Sequence, residues 1–554
     1  MLKGYLSIVL HAHLPYVRHP NFADFMEEDW LYEAITETYL PLLAAFEDLH
    51  RDNVPFRLTI SLSPPLCEML TDDLLLDRYS QHLSRLADLA EKEIINTSND
   101  GLFRDTARMY QARFRKLQDL YHNQYHRNIV RAFGRFQQMG YLEIITCAGT
   151  HGFLPLMKYP ESVRAQVMTS VRNYQKHFAQ KPEGIWLPEC AYYPGLEKIL
   201  ADAGIKYFIT DTHGITNGSP TPQMGTFQPV YTSQQYKVAA FGRDAESSRQ
   251  VWSAKEGYPG DADYREFYRD LGYDAPYQYI KPYLHSDGVR RNVGIKYYRI
   301  TGEVPLHLKQ PYDRNQALAK VQNHVDNFIF NRQQQIKYAS GNSVPRIPNS
   351  LSRRPSGRAS PLAGSLRSSA PPIIVAPYDA ELFGHWWFEG PDFIAALVRK
   401  IHWQDELKLI TPNEYLKQHP NLQVSQPSFS TWGDGGYCKV WLNGKNDWFY
   451  RHLHKAEERM IELARQYQSS NGLRRNALNQ MARELLLAQS SDWTFLITTQ
   501  HSECYAQNRF KTHLARFNQL YEDIKNDTID ETWLGEIQRE DNIFGEMDYG
   551  IYAP

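Results

Sequence analysis

Two short apolar runs in this chain each end on a carboxylate set among aromatic residues. The first is Gly184-Ile185-Trp186-Leu187-Pro188-Glu189-Cys190-Ala191-Tyr192. The second runs Ile373-Ile374-Val375-Ala376-Pro377-Tyr378-Asp379-Ala380-Glu381-Leu382-Phe383-Gly384-His385-Trp386-Trp387. Two such carboxyls suit glycosyl transfer. One carboxylate attacks the sugar carbon, and the other group, as a carboxylic acid, protonates the departing oxygen. Aromatic surroundings disfavour the ionised form of Asp379, as a general acid requires. Glu381 and Glu389 compete with it for that role. The bland alternatives are a helix-capping Glu189 and an Asp379 that merely follows a proline turn. Trp186 and His385, inside the same two segments, are taken as substrate contacts.

A second constellation is His11-Ala12-His13-Leu14-Pro15. Strand side chains alternate, so both imidazoles fall on one side of a strand end. Neutral imidazoles there can hydrogen-bond sugar hydroxyls. A metal site, with a third ligand from His151, Asp211 or His213, and a purely structural histidine pair are the rivals. Arg243 and Asp244 follow another apolar run, where they could set the charge of Glu189 or form a plain surface ion pair.

The elements that must position these groups are short strands. Apolar or β-branched runs occur at 5–10, 56–62, 142–146, 184–187, 207–210, 238–241 and 373–376, each followed by polar or aromatic residues. Continuous apolar runs of this length fit strands buried on both faces. Helix-like stretches such as 161–178 and 194–203 lie between most of them. That alternation predicts a parallel α/β architecture, and reactive residues at strand C-termini favour a barrel. Seven strands make it an incomplete one, built from 1–66 and 141–410. Residues 67–140, helical in pattern, read as an inserted subdomain. Residues 245–306 carry nine tyrosines from Tyr258 to Tyr298 and are expected to overhang the rim as a lid or a substrate-binding wall. The stretch 339–372 is rich in Ser, Pro, Gly and Arg without an acidic residue, and reads as a disordered insertion or a phosphorylatable docking tail. From 411 to 554 the pattern is that of a C-terminal helical domain. Two tryptophan-bearing loops in it, at 430–437 and 490–495, are expected to be exposed and to close over the rim.

The chain has 554 residues and a formal net charge of -2, which argues against a nucleic-acid or anionic-membrane partner. No apolar run reaches the length of a membrane span. The first ten residues resemble a signal peptide but run into His11 without a small-residue cleavage site, so they read as the first core strand. Five scattered cysteines with no CxxC spacing point to a reducing, cytoplasmic compartment. Aromatics make up 13% of the chain, a composition that offers flat faces to sugar rings or simply fills core. No oligomeric state is specified by the pattern.

Five blocks carry a family resemblance: HAHLPYVRHP from His11, GTHGFLPL from Gly149, GIWLPECAYYPGLE from Gly184, APYDAELFGHWWFEGP from Ala376 and STWGDGGY from Ser430. The chain resembles glycoside hydrolase family 57, and within it the 1,4-α-glucan (glycogen) branching enzymes. The resemblance implies an incomplete (β/α)7 barrel and a retaining mechanism on α-glucan. It implies Glu189 as nucleophile and Asp379 as acid/base. It matches His11, His13 and His151 to subsite histidines, Trp432 and Trp441 to the acceptor groove, and Asp492 with Trp493 to another wall of that groove. It implies no metal and no cofactor. A 4-α-glucanotransferase or α-amylase of the same family would use the same carboxylates. Related branching enzymes carry a mobile tyrosine in the loop region after the Arg243 strand; Tyr231, Tyr236 and Tyr273 are the candidates here.

Overall fold

The computed structural model describes residues 2–253, 256–341 and 370–553. Most of the stretch 339–372, from 342 to 369, therefore lies outside the described residues. The strands are β1 (Gly4–Ala12), β2 (Leu58–Leu62), β3 (Leu142–Cys147), β4 (Gly184–Trp186), β5 (Tyr207–Thr210), β6 (Val230–Tyr231), β7 (Ala239–Gly242), β8 (Ile373–Asp379) and β9 (Leu407–Leu409). All seven expected strands form, and they lie in the order β7-β5-β4-β3-β2-β1-β8. Every pairing along that path is parallel.

Closure of the barrel rests on one bridge between Arg243 and Val375, in which Asp244 N donates to Val375 O at 2.8 Å. The next residue of β8 facing that edge is Pro377, which has no N–H with which to extend the pairing. Two short strands were not anticipated. β6 pairs antiparallel with β7, and β9 lies parallel against the N-terminal end of β1.

Alternation along the strands divides two cores. Leu6, Ile8 and Leu10 of β1 face outward into the main cluster with Ile374, Ala376 and Tyr378 of β8. Tyr5 and Val9 face inward with Ile145, Trp186, Ile209, Phe241 and Val375, so side chains fill the barrel. The same period carries His11 and Asp379 to the inner face at the rim, where they are register partners on adjacent strands.

The inserted segment is helical at Asp73–Asn96, Gly101–Gln118 and Ile129–Gln138. Much of the tyrosine-rich segment lies against these helices: Tyr279 and Tyr297 both donate to Glu93, at 2.8 and 2.7 Å, and Tyr110 Oη donates to Lys296 O at 3.3 Å. A tyrosine can bury its ring and still satisfy its hydroxyl on a carboxylate, which is why this composition suits a packed wall. The C-terminal region is helical at Trp448–Gln466, Gly472–Ala488, Glu503–Asn526 and Glu531–Glu540. Two substantial helical segments were not anticipated: Arg314–Ala339, and the run from Glu28 to Arg51 that a π-helical turn at Ile35–Tyr39 interrupts. Among the described residues, no helix is long and apolar enough to cross a membrane.

Candidate active site

Glu189 sits just beyond β4 with φ 62° and ψ 24°, and Cys190 and His151 are also left-handed, at φ 50° and 57°. Side chains other than glycine pay about 1–3 kcal/mol for such a conformation, and strain of this kind gathers at functional sites. The surroundings hold it in place. Trp432 N donates to Glu189 O at 3.0 Å, and a bridge joins Tyr192 to Ser430.

The Glu189 carboxylate is clamped at both oxygens by residues from outside the barrel. Trp432 Nε1 donates to Oε2 at 2.8 Å, and Ser491 Oγ donates to Oε1 at 3.0 Å. Burial pushes the Glu189 carboxyl up to about 7; the Trp432 and Ser491 donors oppose this, and the Asp492 charge adds to it. Asp379 is different. Its carboxyl has no hydrogen-bond partner among the described residues. Burial raises it well above the usual carboxylate range, Glu381 and Glu189 raise it further, and Arg243 acts the other way. One carboxylate is held by donors; the other has none, has an open side and is pushed towards its protonated form.

The rival acids are occupied. Glu381 accepts from His13 N at 3.2 Å and from the Tyr39 hydroxyl. Glu389 is fully buried and accepts from Tyr312 Oη at 2.6 Å and Arg265 N at 3.2 Å.

The three histidines converge, but not in the way expected. His11 uses Nδ1 on Ser61 Oγ and Nε2 on His151 Nε2, both at 3.1 Å. His151 uses Nδ1 on Ser491 Oγ at 2.8 Å. His13 uses Nδ1 on Ser63 Oγ at 2.9 Å and Nε2 on Asp492 Oδ2 at 3.1 Å. Every ring nitrogen therefore already has a partner within the protein. The rings of His13 and His151 stack at 3.8 Å, and His11 stacks on Trp186 at 4.5 Å. His13, His151 and Asp492 lie close enough to be compared with a metal site, but His13 spends its nitrogens on Ser63 and Asp492, and His151 on Ser491 and His11. Against the effect of burial, His13 and then His151 and Ser490 hold the Asp492 carboxyl down to about 2.

Other expected contacts land elsewhere. Trp186 is fully buried and forms the floor under His11. Trp441 and Trp493 are buried too: Trp441 stacks on Phe153 at 4.6 Å, and Trp493 Nε1 donates to Leu487 O at 2.7 Å. They brace the rim loops and do not line an open groove. Ser430, Thr431, Ser490 and Ser491 are likewise buried, because these loops are stitched onto the barrel by the Tyr192–Ser430 and Gly152–Ser490 bridges. Asp244 caps the helix Ala245–Trp252 through Ser247 N at 2.7 Å and accepts from Gln335 at 2.9 Å, so it is not free for substrate. Arg243 donates to Asp211 at 3.2 Å and Ser248 at 2.7 Å and lies over the Trp432 ring, and its charge acts to lower the Asp379 carboxyl. His385 points to Glu37 at 2.6 Å, a partner supplied by the π-helical turn. Tyr231 spends its hydroxyl on Pro420 O at 3.1 Å, Tyr236 is half-buried, and Tyr273 is exposed.

Ser61, Ser63, Ser491 and Tyr39 were missed. A signal existed for the first two: Ser61-Leu62-Ser63 at the end of β2 repeats the spacing of His11-Ala12-His13 at the end of β1, and His11 is in register with Ser61. Two exposed tryptophans border the region. Trp252 meets Trp432 edge-on at 6.1 Å, and Trp386 stacks on Phe267 at 4.4 Å.

Comparison with known proteins places this geometry. Residues 7–325 match the profile of Glycosyl hydrolase family 57, and residues 452–552 match that of "1,4-alpha-glucan branching enzyme, C-terminal". The 1,4-alpha-glucan branching enzyme TK1436 of Thermococcus kodakarensis is 34% identical, over 100% of this chain and 79% of its own length. The alpha-amylase AmyC of Thermotoga maritima superposes with a TM-score of 0.89 at 42% identity, covering 100% of this chain and 99% of its own. The branching enzyme of Pyrococcus horikoshii superposes at 0.84 with 32% identity, covering 100% and 97%. The chain belongs to glycosyl hydrolase family 57.

Proposed function

We propose that the chain is a retaining 1,4-α-glucan branching enzyme, with Glu189 as nucleophile and Asp379 as acid/base. The observation that carries the roles is the asymmetry of the two carboxyls. Glu189 receives two donors that favour its anion, and Asp379 has none and keeps its proton. The activity is supported by similarity to branching enzymes along the whole chain, including the C-terminal region.

The steps follow from that asymmetry. An α-1,4-glucan lies across the rim, and Asp379 gives its proton to the glycosidic oxygen as Glu189 attacks C1. The bond to the leaving chain breaks and a covalent glycosyl ester forms. Asp379, now ionised, takes the proton from a 6-hydroxyl of another glucan segment, which attacks C1 and frees Glu189. The product is an α-1,6 branch, and the number of glycosidic bonds is unchanged. Water is the competing acceptor, and Trp432 with Trp252 shields the nucleophile side from it. The substrate is α-glucan, the reaction serves glycogen synthesis and the compartment is the cytoplasm.

The name of the Thermotoga relative favours a second reading, α-amylase action, which uses the same residues and ends on water. Incubation with linear amylose separates the two. Proton NMR should show new α-1,6 linkages with few new reducing ends. Reducing ends without branches would replace the proposal with hydrolysis, and redistributed chain lengths with neither would replace it with 4-α-glucanotransfer.

A further inference from the structure

We propose that Ser491 is a positioning residue for the Glu189 carboxylate, standing at the end of a one-way hydrogen-bond chain that runs through His151 and His11 to Ser61. The inference rests on the reading of Glu189 as nucleophile and adds to it a residue from outside the barrel.

The direction of each bond follows from the carboxylate. An ionised carboxylate only accepts, so Ser491 gives its single hydroxyl hydrogen to Oε1 at 3.0 Å. Its oxygen must then accept from His151 Nδ1 at 2.8 Å. A neutral His151 that carries its hydrogen on Nδ1 has a bare Nε2, which accepts from His11 Nε2 at 3.1 Å. His11 in turn has a bare Nδ1, which accepts from Ser61 Oγ at 3.1 Å. Each tautomer is dictated by the one before it. Burial and the neighbouring imidazoles press His11 and His151 well below the usual histidine range, which keeps both rings neutral, as this chain needs.

The frame is built to hold this line. Ser491 N donates to His151 O at 3.0 Å, and Gly152 bridges Ser490, so the serine cannot move without the histidine. His151 carries a left-handed backbone at the same point. Trp493 ties down the next turn of the helix Ser491–Thr499. His11 and His151 thus act on the nucleophile through Ser491, which explains why their nitrogens are not free for sugar hydroxyls.

The test is a pH profile of kcat for Ser491→Ala, Ser491→Thr and Ser61→Ala, with thermal unfolding run on each. The other titratable and charged groups around Glu189 stay in place: Asp492 beside Ser491, His13 just past β1, His151 after β3 and Asp379 on β8 with Arg243 near it. Ser491→Ala removes a donor to the anion, so the acid limb should move to higher pH by about one unit. kcat on that limb should fall about tenfold while KM stays within about twofold. Ser491→Thr keeps the hydroxyl and should restore the limb. Ser61→Ala should move it in the same direction by less. An unchanged limb in a folded Ser491→Ala overturns the proposal, as does equal impairment in the Ala and Thr variants. If Ser491→Ala does not fold, Ser491→Thr and Ser61→Ala decide: a wild-type limb in Ser61→Ala overturns the chain. The parent reading is tested separately by Glu189→Gln, whose full activity would sink that reading whatever Ser491 does.

Discussion

The rim cluster and a second cluster in the C-terminal helices use the same residue types to opposite ends. Glu484, His513 and Asp541 are fully buried and, like His13, His151 and Asp492, bring three possible ligand atoms within 4.8 Å. In the helical cluster two arginines serve Asp541, while burial and the Asp541 charge raise Glu484 well above its usual range. Arg509 Nη2 lies 3.5 Å from Asp541, Arg516 reaches the same carboxylate, and Gln480 donates to Glu484 at 2.8 Å. Against burial, His513, Arg509 and Arg516 hold Asp541 below its usual range. At the rim, no arginine or lysine hydrogen-bonds either proposed catalytic carboxyl among the described residues, and both are raised. Buried acids and histidines do not by themselves make an active site. A shortage of positive charge and an open side distinguish the one that does.

The comparison breaks most sharply with Glu189→Gln. Glutamine keeps the shape but cannot attack C1, so turnover should fall on the order of 10⁴-fold or more, with glucan binding and unfolding temperature retained. An active Glu189→Gln would remove the distinction between the clusters. The mirror experiment is Asp541→Asn. It leaves Arg509 buried without its Asp541 counter-charge and Arg516 with Glu540 alone, which costs about 3–5 kcal/mol of stability. Denaturant unfolding measures that loss, and the folded fraction should keep its turnover within a few-fold. The two clusters do touch indirectly. Arg509 also donates to Tyr16 O at 3.3 Å, just beyond the His11–His13 segment. A large loss of kcat in folded Asp541→Asn would mean that the helical cluster is part of the catalytic apparatus.

How legible all this was in the sequence depends on what each residue answers to. The barrel strands could be read because burial on both faces leaves unbroken apolar runs, and the two carboxyls stood out at the ends of such runs. β9 has only three residues and takes its place from β1. The helical run from Glu28 to Arg51 is interrupted by a π turn that places Glu37 on His385 and Tyr39 on Glu381, a tertiary demand with no local signature. The tryptophans misled most. Trp441 and Trp493 look like sugar platforms in a glycine- or serine-rich loop, but a large ring in such a loop serves equally well as its anchor, and only packing decides. The serines were overlooked for the opposite reason, because a hydroxyl carries no signal until its partner is placed. The SLS and HAH spacings on adjacent strands were the one visible clue.

The finest test of the contrast is Asp492→Asn. Asp492 is the negative charge at the rim that pushes Glu189 upward, and it is itself held ionised by His13. Asparagine removes the charge and keeps the volume. Glu189 should then ionise more readily, so the acid limb of kcat should move below its wild-type position, by less than about one unit for a partly wet site. The sign is opposite to that expected for Ser491→Ala, although the two residues are neighbours on one helix turn. That opposition makes the pair informative. If Asp492→Asn instead raised the limb, Asp492 would be acting through His13, whose Nε2 hydrogen it fixes, and the rim would be a histidine network first and a charge imbalance second. A limb that falls assigns to the Asp492 charge a share of the rise that burial begins at Glu189, at a carboxyl that no arginine serves as Arg509 and Arg516 serve Asp541.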